Sequence, residues 1–274
     1  LVTATSAPKA SLSSSVSTVN WVPRTRATRL GTTVSKPYRG GSWTLAGACA
    51  SGAHAIGQAF DLIAAGRQDR VLCGGAQEIS WEAVCSFDAL GAFSLREDDP
   101  ERASRPFDAD RDGLVPSGGA AAVVLEDLEA ARERRATVLG EILAYAFSSD
   151  GANIALASGE GLGRCMAEAL ERGGAAPGDV DMISAHGTST PLGDAVEADA
   201  ISSVFGAARP WVLSTKCLTG HEMWMSGASQ VVYSLLMARG GFVAGSRNFE
   251  RPDERTACLR ISPERVEETP ETVL

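Results

Sequence analysis

The sequence lacks any long apolar run and any cluster of cysteines. No stretch approaches the roughly 20 consecutive apolar residues that span a bilayer, so we expect no membrane segment. The six cysteines are scattered, without a C-x-x-C pair or a set of ligands at metal-binding spacing. That pattern disfavours a disulfide framework or a zinc site, and it favours a reducing, cytoplasmic location.

Acidic residues are absent from the first 60 positions, although the whole chain carries a net charge of −9. Residues 1–40 combine Lys and Arg with many Ser and Thr, a composition that can indicate a transit peptide. A processed peptide should precede a whole domain, however. We therefore favour a segment of uncertain structure, or the edge of a truncated domain. The overall negative charge disfavours nucleic acid as a partner.

The rest of the chain alternates predicted strands with predicted helices, which indicates an α/β architecture. Its 274 residues, 44% of them apolar, can bury a sizeable core in one large domain or two small ones. Short apolar runs predict strands at 42–46, 70–74, 120–125, 137–147, 180–184, 242–244 and 257–261. Other patterns predict helices at 50–65, 127–135, 161–172, 194–205 and 223–239. The last is nearly uncharged and is therefore expected to be buried on most sides.

A charged stretch at 96–113 faintly resembles a calcium-binding loop. It places Asp108, Asp110 and Asp112 at alternating positions. A calcium loop would close with a Glu at position 119, where this sequence has Gly119. We therefore expect no metal here, and we interpret the stretch as a loop pinned by Arg–Asp pairs.

Cys49 is a candidate nucleophile because it lies between a predicted strand and a predicted helix, within Ala-Gly-Ala-Cys-Ala-Ser-Gly. The N–H groups and dipole at a helix N-terminus favour a thiolate. Small neighbours leave room for a substrate carbonyl, and the Cys49 amide could donate to an oxyanion. A buried structural cysteine explains the local sequence equally well. His54, one turn further along, is better explained as a core or interface histidine.

Two of the three histidines lie in loops rich in hydroxyl groups. His186 begins the segment His-Gly-Thr-Ser-Thr-Pro after a predicted strand. His221 ends the segment Ser-Thr-Lys-Cys-Leu-Thr-Gly-His, which also contains Lys216 and precedes the long helix. A thiol needs a neighbouring base or cation to act as a nucleophile near neutral pH. Each motif alone is weak evidence. The ordered set of Cys49, His186, Lys216 and His221 is specific.

From about residue 41 to residue 261 the chain resembles the elongating β-ketoacyl-acyl carrier protein synthases, most closely the branch containing synthase I. Further matching segments lie at 74–78, 81–91, 105–113 and 158–161. Initiating synthases pair the cysteine with His and Asn, and thiolases pair it with His and a second Cys. His221 therefore favours the Cys-His-His class. The resemblance implies a thiolase-like fold of layered α/β/α/β/α type.

The resemblance also implies an activity, the decarboxylative Claisen condensation of acyl and malonyl thioesters. Cys49 would carry the acyl chain, while His186 and His221 would bind the malonyl thioester oxygen as the carboxylate leaves. Both substrates would arrive on the phosphopantetheine of acyl carrier protein, so no separate cofactor is expected. The expected assembly is a homodimer.

The same resemblance implies a catalytic role for Lys216 as well, and roles for three further residues. Lys216 would orient and polarise the two histidines, with Glu197 as its carboxylate partner. Thr188 and Thr190 would hydrogen-bond the phosphopantetheine arm. The resemblance leaves the acyl chain length open, and it does not separate fatty-acid from polyketide synthesis.

The resemblance is incomplete at both ends of the chain. Residues 1–40 have room for only a remnant of the family's first half, and no glycine-rich closing loop or final strand precedes Leu274. We therefore expect a truncated fold, with the nucleophile in 41–136, the two histidines in 137–274, and weak activity. A catalytically defective fragment or partner subunit is the alternative. A Cys-His hydrolase is disfavoured, because the sequence has no nucleophile elbow and places Lys216 beside two histidines.

Overall fold

The computed structural model describes residues 2–4, 41–151 and 157–274, which form two β-sheets flanked by helices. The larger sheet has the strand order β2-β3-β1-β4. Its strands are β1 (Val2–Ala4), β2 (Arg70–Gln77), β3 (Gly119–Asp127) and β4 (Gly140–Ile142). β2 and β3 are antiparallel, whereas β1 runs parallel to both β3 and β4.

The smaller sheet pairs β5 (Met182–Ser184) with β6 (Trp211–Leu213) in parallel. The helices are α1 (Ser51–Ala64), α2 (Trp81–Ala89), α3 (Leu128–Glu133), α4 (Glu160–Gly173), α5 (Pro191–Phe205), α6 (Lys216–Thr219) and α7 (Ser226–Gly240). Within the described ranges, none of these helices has the length and apolar character needed to cross a membrane.

The α/β architecture is confirmed, and most predicted elements are present with shifted ends. The predicted strand at 42–46 is wrong, since residues 41–46 form no regular element. The predicted strands at 242–244 and 257–261 are reduced to single bridges, Val243 with Val266 and Arg260 with Trp211. Strand propensity alone does not make a strand, because a ladder also needs a neighbouring segment that continues alongside. Helix α2 was not predicted.

Most of the first 40 residues lie outside the described residues, so the prediction for 1–40 can be compared with the structure only at Val2–Ala4. These three residues form an interior strand between β3 and β4, not a sheet edge. The predicted division of the chain after residue 136 stays a prediction.

Helix α7 packs against both sheets and thereby connects their cores. Ala228 near its start joins the cluster that contains Ile56 of α1 and Leu125 of β3. Met237 near its end packs with Met182 and other buried residues of the smaller sheet. The predicted burial of this helix is confirmed for its first turn, whereas Leu236 remains 55% exposed.

Two glycines allow the first turns of α1 and α7 to approach closely. A Cβ atom placed on Gly227 would lie 2.6 Å from the backbone nitrogen of Ala53. One placed on Gly52 would lie 2.7 Å from the backbone nitrogen of Ala228. Separations this short exclude any side chain, so the approach depends on glycine at both positions. Cys49 directly precedes α1 and His221 shortly precedes α7, so the contact brings their segments together.

The charged loop is pinned as predicted, by Arg–Asp pairs. Arg105 Nε donates to Asp108 Oδ1 at 2.9 Å, and both side chains are buried. Arg251 donates to Asp110 at 2.8 Å across the surface. Asp112 accepts from the Ser94 hydroxyl instead. The Arg105 amide donates to Ser189 Oγ at 3.0 Å, which holds the loop beside the segment that follows β5.

Replacing Gly227 with Ala should lower the free energy of unfolding by about 1–3 kcal/mol, because the added methyl overpacks the α1–α7 contact. Helix propensity alone would predict the opposite, a gain of about 1 kcal/mol. Gly178→Ala is the control, since a Cβ there meets nothing within 4 Å. Urea denaturation measures both variants, and equal stabilities would contradict the packing argument.

Candidate active site

Cys49 lies in a tight turn that leads directly into the 14-residue helix α1. The Gly47 amide donates to Ser51 Oγ at 2.9 Å, and that hydroxyl donates to the Ala48 carbonyl at 2.7 Å. Ala48 has a φ of 48°, a left-handed conformation that is strained for a residue with a side chain. The hydroxyl of Ser51 therefore holds a strained turn that places the thiol at the start of the helix.

His54 packs against this turn. A Cβ on Gly47 would lie 2.4 Å from Cδ2 of His54, so the ring packs directly against the Gly47 backbone. The His54 ring is held in turn by Tyr145, whose hydroxyl lies 2.5 Å from His54 Nδ1. The half-buried side chain matches the prediction of a core histidine. The Tyr145 contact was not predicted, because it joins residues 91 positions apart.

His221 lies against the thiol, with Nε2 at 3.2 Å from Cys49 Sγ. Its backbone is fixed by a bridge to a neighbouring segment. The His221 amide donates to the Val115 carbonyl at 2.7 Å, and the Ser117 amide donates to the His221 carbonyl at 2.9 Å. Gly220 has a φ of 72°, and a Cβ there would lie 2.9 Å from the Val115 oxygen. Only glycine fits this turn, which aims the imidazole at the thiol as predicted.

His186 completes the cluster at the end of β5. Its ring lies nearly perpendicular to that of His221, with 5.2 Å between centroids. Glu197 of α5 fixes the start of this loop, since its two oxygens accept the amides of His186 and Gly187, each at 2.7 Å. The donor atoms of Cys49, His186 and His221 all lie within 4.8 Å of one another. The structure therefore brings together three of the four residues predicted to be catalytic, the fourth being Lys216.

Asp194 shapes the rest of the His186 loop, and the sequence analysis missed it. The buried carboxylate accepts the amides of Thr188 at 2.9 Å, Ser189 at 3.1 Å and Phe107 at 2.8 Å. Ser189 and Phe107 both have positive φ, at 69° and 65°. Asp194 thus stabilises two strained residues from separate segments. The sequence signal that could have identified Asp194 is an acidic residue in the first turn of a predicted helix.

Thr188 and Thr190, the residues predicted to bind the phosphopantetheine arm, lie side by side in this loop. Their hydroxyl oxygens are 3.0 Å apart and hydrogen-bond to each other. Thr188 is buried, while Thr190 is partly accessible. Both hydroxyls keep lone pairs that can accept a further hydrogen bond. Their role in binding stays a prediction.

Lys216 is buried, with 1% of its surface exposed, and Nζ has no hydrogen-bond partner among the described residues. Glu197 as the carboxylate partner of Lys216 stays a prediction. Its two oxygens accept backbone amides, and its charge acts on Lys216 through space, without a hydrogen bond to Nζ among the described residues. Burial lowers the pKa of Lys216, and the charges of Glu197 and Glu222 oppose that decrease.

Glu222 is a further buried carboxylate that the sequence analysis missed. It accepts hydrogen bonds from the hydroxyls of Ser229 at 2.5 Å and Tyr233 at 2.9 Å, both on α7. These bonds tie the residue after His221 to the helix. A lone acid before a long uncharged stretch was the signal that could have identified it.

The site is electrically neutral at its centre. Burial raises the pKa of the Cys49 thiol, and Lys216 and the cysteine's own amide counteract only part of that rise. Burial and Lys216 lower the pKa of His221 to about 3. Desolvation, Lys216 and His221 lower the pKa of His186 well below its usual range, although its solvent-exposed face limits that decrease. The helix terminus therefore does not produce a resting thiolate, and a neutral His221 is positioned to accept the thiol proton.

Comparisons with known proteins agree with this geometry. The family model described as Beta-ketoacyl synthase, N-terminal domain, matches residues 3–131, and that of the C-terminal domain matches residues 139–250. The chain is 44% identical over 249 residues to 3-oxoacyl-[acyl-carrier-protein] synthase 1 of Haemophilus influenzae. It is 43% identical over 256 residues to the synthase 1 of Escherichia coli K12. These alignments cover 90% and 92% of this chain but 61% and 62% of the relatives.

Solved structures show the same likeness. A type II polyketide synthase ketosynthase, in complex with its acyl-carrier protein and bound to the hexaketide, matches with a TM-score of 0.79 and 31% identity. That match covers 82% of this chain and 57% of the other. A β-ketoacyl synthase from Burkholderia phymatum matches with a TM-score of 0.78 and 40% identity, over 80% of this chain and 54% of the other. These likenesses confirm the predicted thiolase-like α/β fold.

Replacing Lys216 with Met should slow the alkylation of Cys49 near neutral pH without unfolding the protein. The positive charge of Lys216 lowers the thiol pKa, so its loss leaves less thiolate. Met fills a similar volume and removes an unpartnered buried charge, so the melting temperature should stay level or rise. Iodoacetamide labelling across pH, with peptide mapping, measures the rate. Exposed Cys85 serves as the internal control, and a large fall in melting temperature would mark Lys216 as structural.

Proposed function

The chain belongs to the β-ketoacyl synthase family, and on that basis we propose that it catalyses the decarboxylative condensation of acyl and malonyl thioesters. The reaction would extend a fatty-acid or related polyketide chain carried on the phosphopantetheine of acyl carrier protein, with no separate cofactor. The observation that carries the proposal is the arrangement of Cys49 Sγ at 3.2 Å from His221 Nε2, with His186 beside it.

Acyl transfer to Cys49 is the first step. His221 Nε2 accepts the proton of the thiol as Sγ attacks the thioester carbonyl of the acyl donor. The C–S bond to the carrier breaks, and the carrier thiolate takes up the proton. The Cys49 amide donates to the tetrahedral oxyanion, since it is the backbone N–H next to the attacking sulfur. Keeping the thiol neutral until the substrate arrives protects it from other electrophiles.

Decarboxylation of the malonyl thioester is the second step. Once the acyl enzyme has formed, His221 in its Nε2–H tautomer and an N–H of His186 donate to the thioester oxygen, on which enolate charge develops as carbon dioxide leaves. Donors positioned for that charge stabilise the transition state more than the ground state. The enolate carbon then attacks the acyl carbonyl, the C–S bond to Cys49 breaks, and the departing Sγ thiolate takes up a proton from solvent. The positive charge of Lys216 stabilises the negative charge on the enolate oxygen through space, without a hydrogen bond.

An apolar cavity of about 690 Å³ beside the Cys49 turn supports an acyl substrate. It is lined by Ala48 and Gly52 next to the nucleophile, by residues 71–76 of β2, and by Trp224. Residues of this type exclude water and accept a hydrocarbon chain without leaving polar groups unpaired. We assign this cavity to the acyl chain.

Acyl carrier protein is the partner we propose, because a matching ketosynthase is in complex with its acyl-carrier protein. Thr188 and Thr190, beside His186, are the hydroxyls proposed to bind the phosphopantetheine arm. The cytoplasm is the proposed compartment, since all six cysteines are free.

A homodimer is the proposed assembly, and the β2 edge supports it. Among the described residues, β2 pairs with β3 on one side only. Large apolar side chains on and after this strand are exposed, with Leu72 at 65%, Ile79 at 54% and Trp81 at 73%. An unpaired edge that carries exposed apolar groups is a template for strand pairing between two copies.

His221→Asn should reduce carbon dioxide release from malonyl carrier protein by about 10²–10³-fold, because one of two donors to the enolate oxygen is lost. His54→Asn should reduce it less, since His54 contacts the Gly47 backbone and Tyr145 and donates nothing to the substrate. Single-turnover decarboxylation assays compare the two variants. An equal loss in both would remove the distinction between the catalytic and the packing histidine.

Leu72→Arg should weaken the dimer by at least about 10-fold, equivalent to about 1.4 kcal/mol, because it places a charge on the paired edge. Leu162→Arg on α4 is the matched control, since Leu162 is 36% exposed and lies away from β2. Light scattering after gel filtration, over a range of protein concentrations, gives the dissociation constant. A monomeric unmodified protein, or identical constants for both variants, would refute the edge interface.

A further inference from the structure

Cys49, His186 and His221 surround one point with the donor types that zinc prefers. Their sulfur and nitrogen atoms all lie within 4.8 Å of one another, and the closest pair is 3.2 Å apart. In a tetrahedral zinc site with the usual bond lengths, donor atoms lie about 3.3–3.6 Å apart. The cluster therefore needs a closing movement of at most about 1.5 Å in its widest pair. Side-chain torsions of partly accessible residues permit such a movement.

The surroundings of the cluster leave access and a fourth coordination position. His186 is exposed and Cys49 is half-buried, so an ion can enter from solvent and retain one water. The His186 amide donates to Glu197 and the His221 amide donates to the Val115 carbonyl, so the backbones of two ligand residues are fixed while their rings can rotate. Lys216 repels a cation, but buried Glu197 and Glu222 act on the same region and offset its charge.

We propose that zinc(II) binds reversibly to Cys49 Sγ, to His221 Nε2 and to an imidazole nitrogen of His186, and thereby blocks the nucleophile. As the Zn–S bond forms, the Cys49 thiol loses its proton to solvent. The sulfur cannot hold a metal ion and an acyl group at once, so zinc and acylation exclude each other. That exclusion rests on the proposed function, whereas the metal site itself does not. The three ligands are separated by 137 and 35 positions in the chain, a spacing that no zinc motif has.

The test uses the metal-free full chain, zinc(II) alone, and alkylation of Cys49 as the readout. One equivalent of zinc should protect Cys49 from iodoacetamide while exposed Cys85 continues to react, and a chelator should restore the reaction. In calorimetry we expect a single site. His186→Asn and His221→Asn should each weaken binding by at least about 10-fold, since even outer-shell partners contribute 10–100-fold. Cys85→Ser should leave the affinity unchanged.

Cobalt(II) gives a second readout that needs no histidine variant. It should produce a thiolate-to-metal absorption band in the near ultraviolet that is absent from Cys49→Ser. No protection of Cys49 at excess zinc, or an affinity unchanged in both histidine variants, would overturn the proposal. Protection by zinc in a protein that shows no condensation activity would refute the proposed function and still support the metal site.

Discussion

The contact between the first turns of α1 and α7 is the constraint on which the site depends. Gly52 and Gly227 remove the side chains that would separate the two helices, and Ser226 Oγ reaches the Cys49 carbonyl at 3.4 Å. The nucleophile precedes one helix and His221 precedes the other. Their 3.2 Å separation is therefore set by backbone packing between distant segments, and the side chains themselves need little further restraint.

Buried carboxylates in this protein hold backbone geometry in place. Asp194 and Glu197 together accept five backbone amides, and they fix the loop that carries His186. Lys216 is left with no hydrogen-bond partner in the part of the chain that the structure describes. A buried lysine without a hydrogen bond costs stability, and the charges of Glu197 and Glu222 offset part of that cost. Its charge is instead available to the thiol and to developing negative charge above it.

Desolvation decides the protonation of the site. The helix N-terminus and Lys216 both favour a Cys49 thiolate, yet burial outweighs them and raises the thiol pKa. Burial acts in the opposite direction on the histidines, lowering their pKa and keeping the rings neutral. A neutral thiol beside neutral imidazoles can transfer a proton when a substrate arrives. The same three groups are also in the form in which a soft metal ion can displace the thiol proton.

The sequence by itself determined the features that depend on neighbouring residues. Apolar periodicity and glycine stops located α1, α4 and α5, and three short motifs identified Cys49, His186, Lys216 and His221. Only the tertiary structure decided which groups meet. It joined Glu197 to two backbone amides, placed Tyr145 against His54, and left residues 41–46 outside any regular element. Hydrogen bonds, ladders and desolvation depend on what lies opposite in space, and a local pattern carries no information about segments a hundred residues away.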